Sequence, residues 1–176
     1  MFTILQTTFY KFATKLITLL FILFIFESSQ AQTVMQTVIG NTAGPGAFAN
    51  GPIYRNTGNA GTLNYSRYAY VYTAAELNIP SGSKIIKLEW CKKDTAQVIG
   101  NNIFNVWISN TNITSFVGNI AWNTLSTGAT QEFSSSTYQV TGGAGSFISA
   151  PFNDSFIYNG SSLQILTDWE KLGYAT

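Results

Sequence analysis

Side chains able to do chemistry are few in this chain. It contains no His and a single Cys, Cys91. Ser-His-Asp catalysis and His-ligated metal centres are therefore excluded, and one thiol forms neither an internal disulfide nor a thiolate zinc site. Cys91 also lacks the His base that a cysteine nucleophile needs. Beyond residue 31 the carboxylates are Glu76, Glu89, Asp94, Glu132, Asp154, Asp168 and Glu170. A glycoside hydrolase requires two of these to converge, about 5 Å or about 6.5–9.5 Å apart according to mechanism, and nothing in their spacing pairs any two. Gly142-Gly143-Ala144-Gly145 lacks the Lys-Ser/Thr and the opening helix of a phosphate loop and reads as a hairpin loop. No catalytic residue is assigned, and the expectation is a protein that is not an enzyme.

Aromatic rings are the alternative chemistry, because they stack on the apolar faces of sugar rings. Tyr68, Tyr70 and Tyr72 alternate along one run and share one face of an extended segment. They are candidates for ligand stacking, set against the common use of Tyr to fill a half-buried sheet face. Trp107 lies on the opposite face from Phe104, Val106 and Ile108. If those three are core, Trp107 points outward beside Asn105 and is the best single stacking candidate. Trp122, between two Thr/Asn/Gly stretches, is placed at the same rim. A long loop such as Gly40–Gly61, with six Gly and two Pro, is long enough to fold over Trp107 instead. Trp169, near the end of the chain, receives no role.

These rings must be held by strands. Short β-branched and aromatic runs recur between clusters of Gly, Ser, Thr and Asn, with no long 3.6-residue period, which is the pattern of an all-β sandwich or barrel. Strands are predicted over Thr33–Ile39, Ser66–Thr73, Lys84–Lys93, Asn102–Ser109, Thr137–Thr141, Phe147–Ala150 and Ser162–Trp169, with one helical turn over Ala74–Asn78. Alternation assigns Ile86, Leu88 and Trp90 inward and Ile85, Lys87, Glu89 and Cys91 outward. It also assigns Leu163, Ile165 and Thr167 inward, with Gln164 and Asp168 outward. The fold class is all-β, an antiparallel β-sandwich with one solvated face.

The first 31 residues read differently. Lys11 and Lys15 precede an unbroken apolar run of 11 residues, Leu16–Phe26, and Ser29-Gln30-Ala31 places small residues at a cleavage site. A membrane span needs about 20 apolar residues, so the segment is a signal peptide cleaved between Ala31 and Gln32. Three parts follow: residues 1–31 as signal, 32–61 as an N-terminal strand and Gly-rich loop, and 62–176 as the sandwich domain. The 145 residues after the cut carry seven bases and seven acids. A neutral chain has no electrostatic footprint for nucleic acid, and no membrane span is expected in the mature protein.

The order of motifs carries a resemblance. Arg67-Tyr68-Ala69-Tyr70-Val71-Tyr72 leads to Ala74-Ala75-Glu76-Leu77, then Gly82-Ser83-Lys84-Ile85-Ile86-Lys87-Leu88-Glu89-Trp90. Phe104-Asn105-Val106-Trp107-Ile108, Pro151-Phe152, Phe156-Ile157-Tyr158-Asn159-Gly160 and Leu163-Gln164-Ile165-Leu166 follow. The series, over about residues 65–168, resembles a jelly-roll-like β-sandwich module of secreted and surface multidomain proteins of Bacteroidota. Those proteins often carry fibronectin type III repeats and a type IX secretion sorting domain. The resemblance implies an adhesin-like or carbohydrate-binding-like module, secreted or at the cell surface. Its partners would be glycans, a host or matrix surface, and neighbouring domains of the same polypeptide. It supplies no catalytic residues. A jelly roll usually has one more strand after the Leu163 run, so the expectation is a domain cut short within a larger surface protein. Jelly-roll binding modules often hold a structural Ca²⁺, but no Asp-x-Asp-x-Asp run supports one here, and no cofactor is expected. The alternatives are an accessory domain of a secreted peptidase or glycosidase, and a structural spacer. Intact-mass analysis of the exported chain is expected to find Gln32 at its N-terminus; a product still carrying Leu16–Phe26 would contradict the signal reading.

Overall fold

The computed structural model describes residues 34–39, 52–53, 65–92, 95 and 97–171. The signal segment with its Ala31–Gln32 cut, and all of residues 40–61 except Pro52 and Ile53, lie outside the described residues. Two compact units divide the chain at Gln36–Thr37. Of the first, only residues 34–36 are described, and they are exposed. The second holds the fold, in the order β1 (Tyr65–Tyr72), α1 (Ala74–Leu77), β2 (Lys84–Cys91), β3 (Val98–Thr111), α2 (Trp122–Ser126), β4 (Thr130–Val140), β5 (Phe147–Ile157) and β6 (Ser162–Lys171).

An antiparallel four-stranded sheet, ordered β1-β6-β3-β4, faces a two-stranded sheet of β2 and β5. The architecture is an all-β sandwich, as expected. Alternation decides what lies between the sheets. Phe104, Val106 and Ile108 of β3, and Leu163, Ile165 and Trp169 of β6, are all buried on the inner face. Leu88, Trp90, Ala150, Ile148 and Phe152 approach them from the second sheet. Phe104 is the hub. Its ring lies 4.9 Å from Tyr138, 5.8 Å from Phe133, 6.1 Å from Trp90 and 6.2 Å from Trp169, all tilted or edge-on. Edge-to-face pairs of this kind add stabilisation beyond the area they bury.

Local signals set the shorter elements. Thr73 caps α1: its hydroxyl accepts from the Glu76 N–H, while the Glu76 carboxylate accepts from the Thr73 N–H at 2.8 Å. This reciprocal box satisfies two orphan donors, and it holds the Glu76 carboxyl below its usual range. Asn78 ends the turn in the left-handed conformation that Asn tolerates. The β4–β5 turn is tied down by Lys92. Its buried ammonium donates to the carbonyls of Thr141 (3.2 Å) and Gly142 (2.6 Å), and its backbone N–H donates to Ser146 O at 2.7 Å.

Several expectations needed correction. Residues 34–39 form no strand. A register shift between Ile85 and Lys87 exchanges the faces of the isoleucines, so Ile85 packs on the core and Ile86 is 52% exposed. β4 begins seven residues before Thr137 and β5 runs seven beyond Ala150. Pro151 sits within β5 opposite Lys87, where a two-stranded sheet leaves one side unpaired and a missing N–H is tolerated. Among the described residues no helix is long and apolar enough to cross a membrane.

One substitution probes the core. Phe104→Ala is expected to cost about 3–5 kcal/mol, as for large aromatic truncations. Thermal melts followed by circular dichroism are expected to show that loss, and a variant that melts like wild type would contradict the central place of Phe104.

Candidate functional site

The outer face of the four-stranded sheet brings the sequence candidates Trp107 and Trp122 together. Cross-strand register places Trp107 of β3 beside Leu166 of β6 and Gln131 of β4. Trp107 does point away from the core, as alternation predicts. The segment that covers it is 112–129, which carries α2 across this face. Trp122 opens α2 and meets Trp107 edge-on, with ring centroids 6.1 Å apart at 83°. Both rings are half-buried. Leu166, beneath them on the same face, is fully buried.

Polar groups surround the pair. Arg67 of β1 and Asp168 of β6 are register partners, and Arg67 Nη2 donates to Asp168 Oδ2 at 3.2 Å. The Arg67 guanidinium also lies 5.1 Å from the Trp122 ring centroid, a cation–π contact that holds the indole against the sheet. Next to Asp168 in register is Asn105. Its Oδ1 accepts from Ser134 Oγ at 2.8 Å and from Gln131 Nε2 at 3.2 Å. These contacts leave the two indoles framed by one paired charge couple and a network of amides and a hydroxyl.

Tyr68, Tyr70 and Tyr72 lie elsewhere. Their register partners Thr167, Ile165 and Leu163 belong to the inner face, so the tyrosine stripe is turned toward the core and forms no common platform with Trp107 and Trp122. The three rings stack along β1, 6.2 Å and 6.3 Å between successive centroids. Burial, followed by the neighbouring Tyr72 and Tyr68, pushes the Tyr70 phenol well above its ordinary pKa. Burial and then Glu76 raise Tyr72. Neither ionises in the physiological range. Trp169, which alternation left unplaced, is fully buried against Phe104 and Tyr138.

The carboxylates do not assemble into a metal centre: among the described residues no three His, Cys, Asp or Glu side chains gather. One pair does approach. Glu132, the extra residue where the β3–β4 register slips, is 6% exposed. Burial, and then the Asp154 carboxylate on β5, raise its pKa, partly offset by a hydrogen bond from the Asp154 backbone. Cys91 is exposed on the outer face of the second sheet, where Lys87 and Glu89 pair at 3.0 Å.

Arg67, Gln131 and Ser134 were not singled out from the sequence, and Asn105 was named only as the neighbour of Trp107. Residue parity alone put Arg67 on the face opposite the tyrosines. Its partner Asp168 is 101 positions away, and only the β1–β6 pairing reveals the contact. No family model, no curated protein and no solved structure matches this chain.

The Glu132 environment yields a pH prediction. A carboxyl whose folded-state pKa is raised contributes stability below its unfolded value, about 4.3, and loses it as pH rises through the folded value. Glu132→Gln is therefore expected to raise the melting temperature at pH 7. The gain should shrink to nothing near pH 4. It should stay within about 1 kcal/mol, because Asp154 is exposed and its charge is screened by water. A variant less stable than wild type at pH 7 would contradict this assignment.

Proposed function

We propose that this chain is a secreted, non-catalytic β-sandwich module that binds carbohydrate through the outer face of its four-stranded sheet, as an adhesin-like part of a surface protein. One observation carries the reading. Trp107 of β3 and Trp122 of the helix that follows it meet on that face within a frame of Arg67, Asp168, Asn105, Gln131 and Ser134. Half-exposed indoles present flat apolar area for the C–H face of a sugar ring, while the amides and hydroxyl around them can bond its hydroxyls. Adjoining large apolar groups left partly open to water commonly mark a partner site. The signal segment and the resemblance to Bacteroidota surface modules support the extracellular setting.

A second reading, a structural spacer, draws on the same contacts. Trp107 and Trp122 pack edge-on against each other and Arg67 covers part of one ring, so some of their surface serves internal packing or a neighbouring domain.

Glycan-array and affinity-electrophoresis measurements separate the two. Trp122 lies on a short helix outside the sheet, so Trp122→Ala spares the core. The carbohydrate reading expects wild type to bind at least one glycan, and Trp122→Ala to lose about 10-fold or more in affinity, the scale of a lost aromatic anchor. Binding left unchanged in Trp122→Ala, or no binding to any glycan, favours the spacer.

A further inference from the structure

We infer that a recess beside α2, on the same outer face, is a separate subsite that takes an uncharged, hydroxyl-bearing ring such as a neutral hexose. This rests on the carbohydrate reading above and specifies the class of sugar. The recess holds about 440 Å³, within the range of small-molecule sites. Ser109 follows Trp107 by two residues on β3, roughly 7 Å along the same face. One chain-like ligand can therefore reach both places.

The lining is chemically selective. Ser109 and Gln164 line it from the sheet, register partners on β3 and β6. Thr111 ends β3 beside them, and Thr124 and Thr127 belong to α2 and the turn after it. Gln164 is only 7% exposed and is held in one orientation: its Nε2 donates to Leu125 O at 2.8 Å and to Ser109 Oγ at 3.3 Å. No described residue donates to its Oε1. An oriented buried amide with an unused acceptor is suited to a ligand hydroxyl.

The hydroxyls are set as well. Ser109 Oγ accepts from Gln164, and Thr111 Oγ1 accepts from the Ile113 N–H at 3.3 Å, which leaves both O–H groups able to donate. Thr127 Oγ1 gives its proton to Asn123 O at 2.8 Å, so its lone pairs are left to accept. The recess thus presents both donors and acceptors, matching hydroxyls that do both. Ile113, Ile120 and Leu125 add apolar wall for a C–H face. No lining residue among the described ones is charged. A carboxylate or sulfate entering here would lose hydration without a cation to replace it, and at the adjoining indoles Arg67 is already paired with Asp168.

The test is calorimetric titration of the full chain with neutral cello-, manno- and xylo-oligosaccharides and with oligogalacturonate. Thr124→Trp fills the recess, Cys91→Ser on the exposed face of the second sheet is the control, and Trp122→Ala removes the neighbouring anchor. The inference expects a neutral oligosaccharide to bind wild type and Cys91→Ser alike, and Thr124→Trp and Trp122→Ala each at least 10-fold more weakly, with oligogalacturonate weaker than the neutral ligands throughout. Neutral binding that Thr124→Trp leaves unchanged, or preferred binding of oligogalacturonate, overturns the subsite while the carbohydrate reading stands. No binding by any oligosaccharide overturns both. If Thr124→Trp fails to fold, amide hydrogen exchange on wild type decides. Added neutral sugar is expected to protect residues 109–111 and 124–128, and absence of that protection overturns the subsite.

Discussion

β6 is buried on both of its faces, and the rest of the architecture follows from that constraint. It is hydrogen-bonded on either side, to β1 and to β3, and eight of its ten residues are buried. Leu163, Ile165 and Trp169 face the second sheet, whereas Gln164 and Leu166 face the other way. A strand with apolar groups on both faces needs a cover on each. β2 and β5 supply one. The 112–129 segment, with α2, supplies the other, and in doing so brings Trp122 to Trp107. The candidate site is therefore a consequence of roofing a central strand.

Charge plays a supporting part. On the outer face, Arg67 and Asp168 neutralise one another, and the pair is solvent-accessible enough to add little stability. Its larger effect is positional, because the guanidinium rests against Trp122. Farther along the sheet the polar groups are amides and hydroxyls already oriented by bonds to backbone carbonyls and to one another. Such prearranged neutral donors and acceptors reduce the ordering cost of binding a neutral ligand, and they are costly surroundings for an ion. The interior is organised differently, around rings that meet edge-on at Phe104.

Particular elements show how far the sequence was legible. In β3 and β6 parity assigned the faces, including the outward position of Trp107, whereas in β1 it grouped Tyr68, Tyr70 and Tyr72 on one face without saying which way that face turns. β4 opens with Thr130-Gln131-Glu132-Phe133-Ser134-Ser135-Ser136. It is an edge strand needing no apolar period, so nothing in its composition marked its start. The slip after Ile85 inverted two residues that alternation had placed the other way, because a bulge shifts parity without altering composition. α2 is five residues of Trp, Asn, Thr, Leu and Ser, too short and too poor in helix formers to announce itself. Trp122 was therefore legible as a candidate at the same rim as Trp107, but its ring contact was not, because that depends on how the segment after β3 folds α2 back over the strand. Arg67 with Asp168 depends instead on which strands become neighbours.

The central claim is that ligand meets the protein at the outer-face indoles. The four tryptophans divide evenly: Trp90 and Trp169 pack on the inner face around Phe104, and Trp107 and Trp122 share the outer one. Intrinsic tryptophan fluorescence of the wild-type chain, titrated with neutral oligosaccharides, reads the outer pair directly. The account predicts a saturable change in intensity with a blue shift as the half-exposed rings lose water, absent when the titration is repeated with Trp107→Phe/Trp122→Phe. Saturable binding by calorimetry with an unchanged spectrum, or the same spectral change in the double variant, would contradict it.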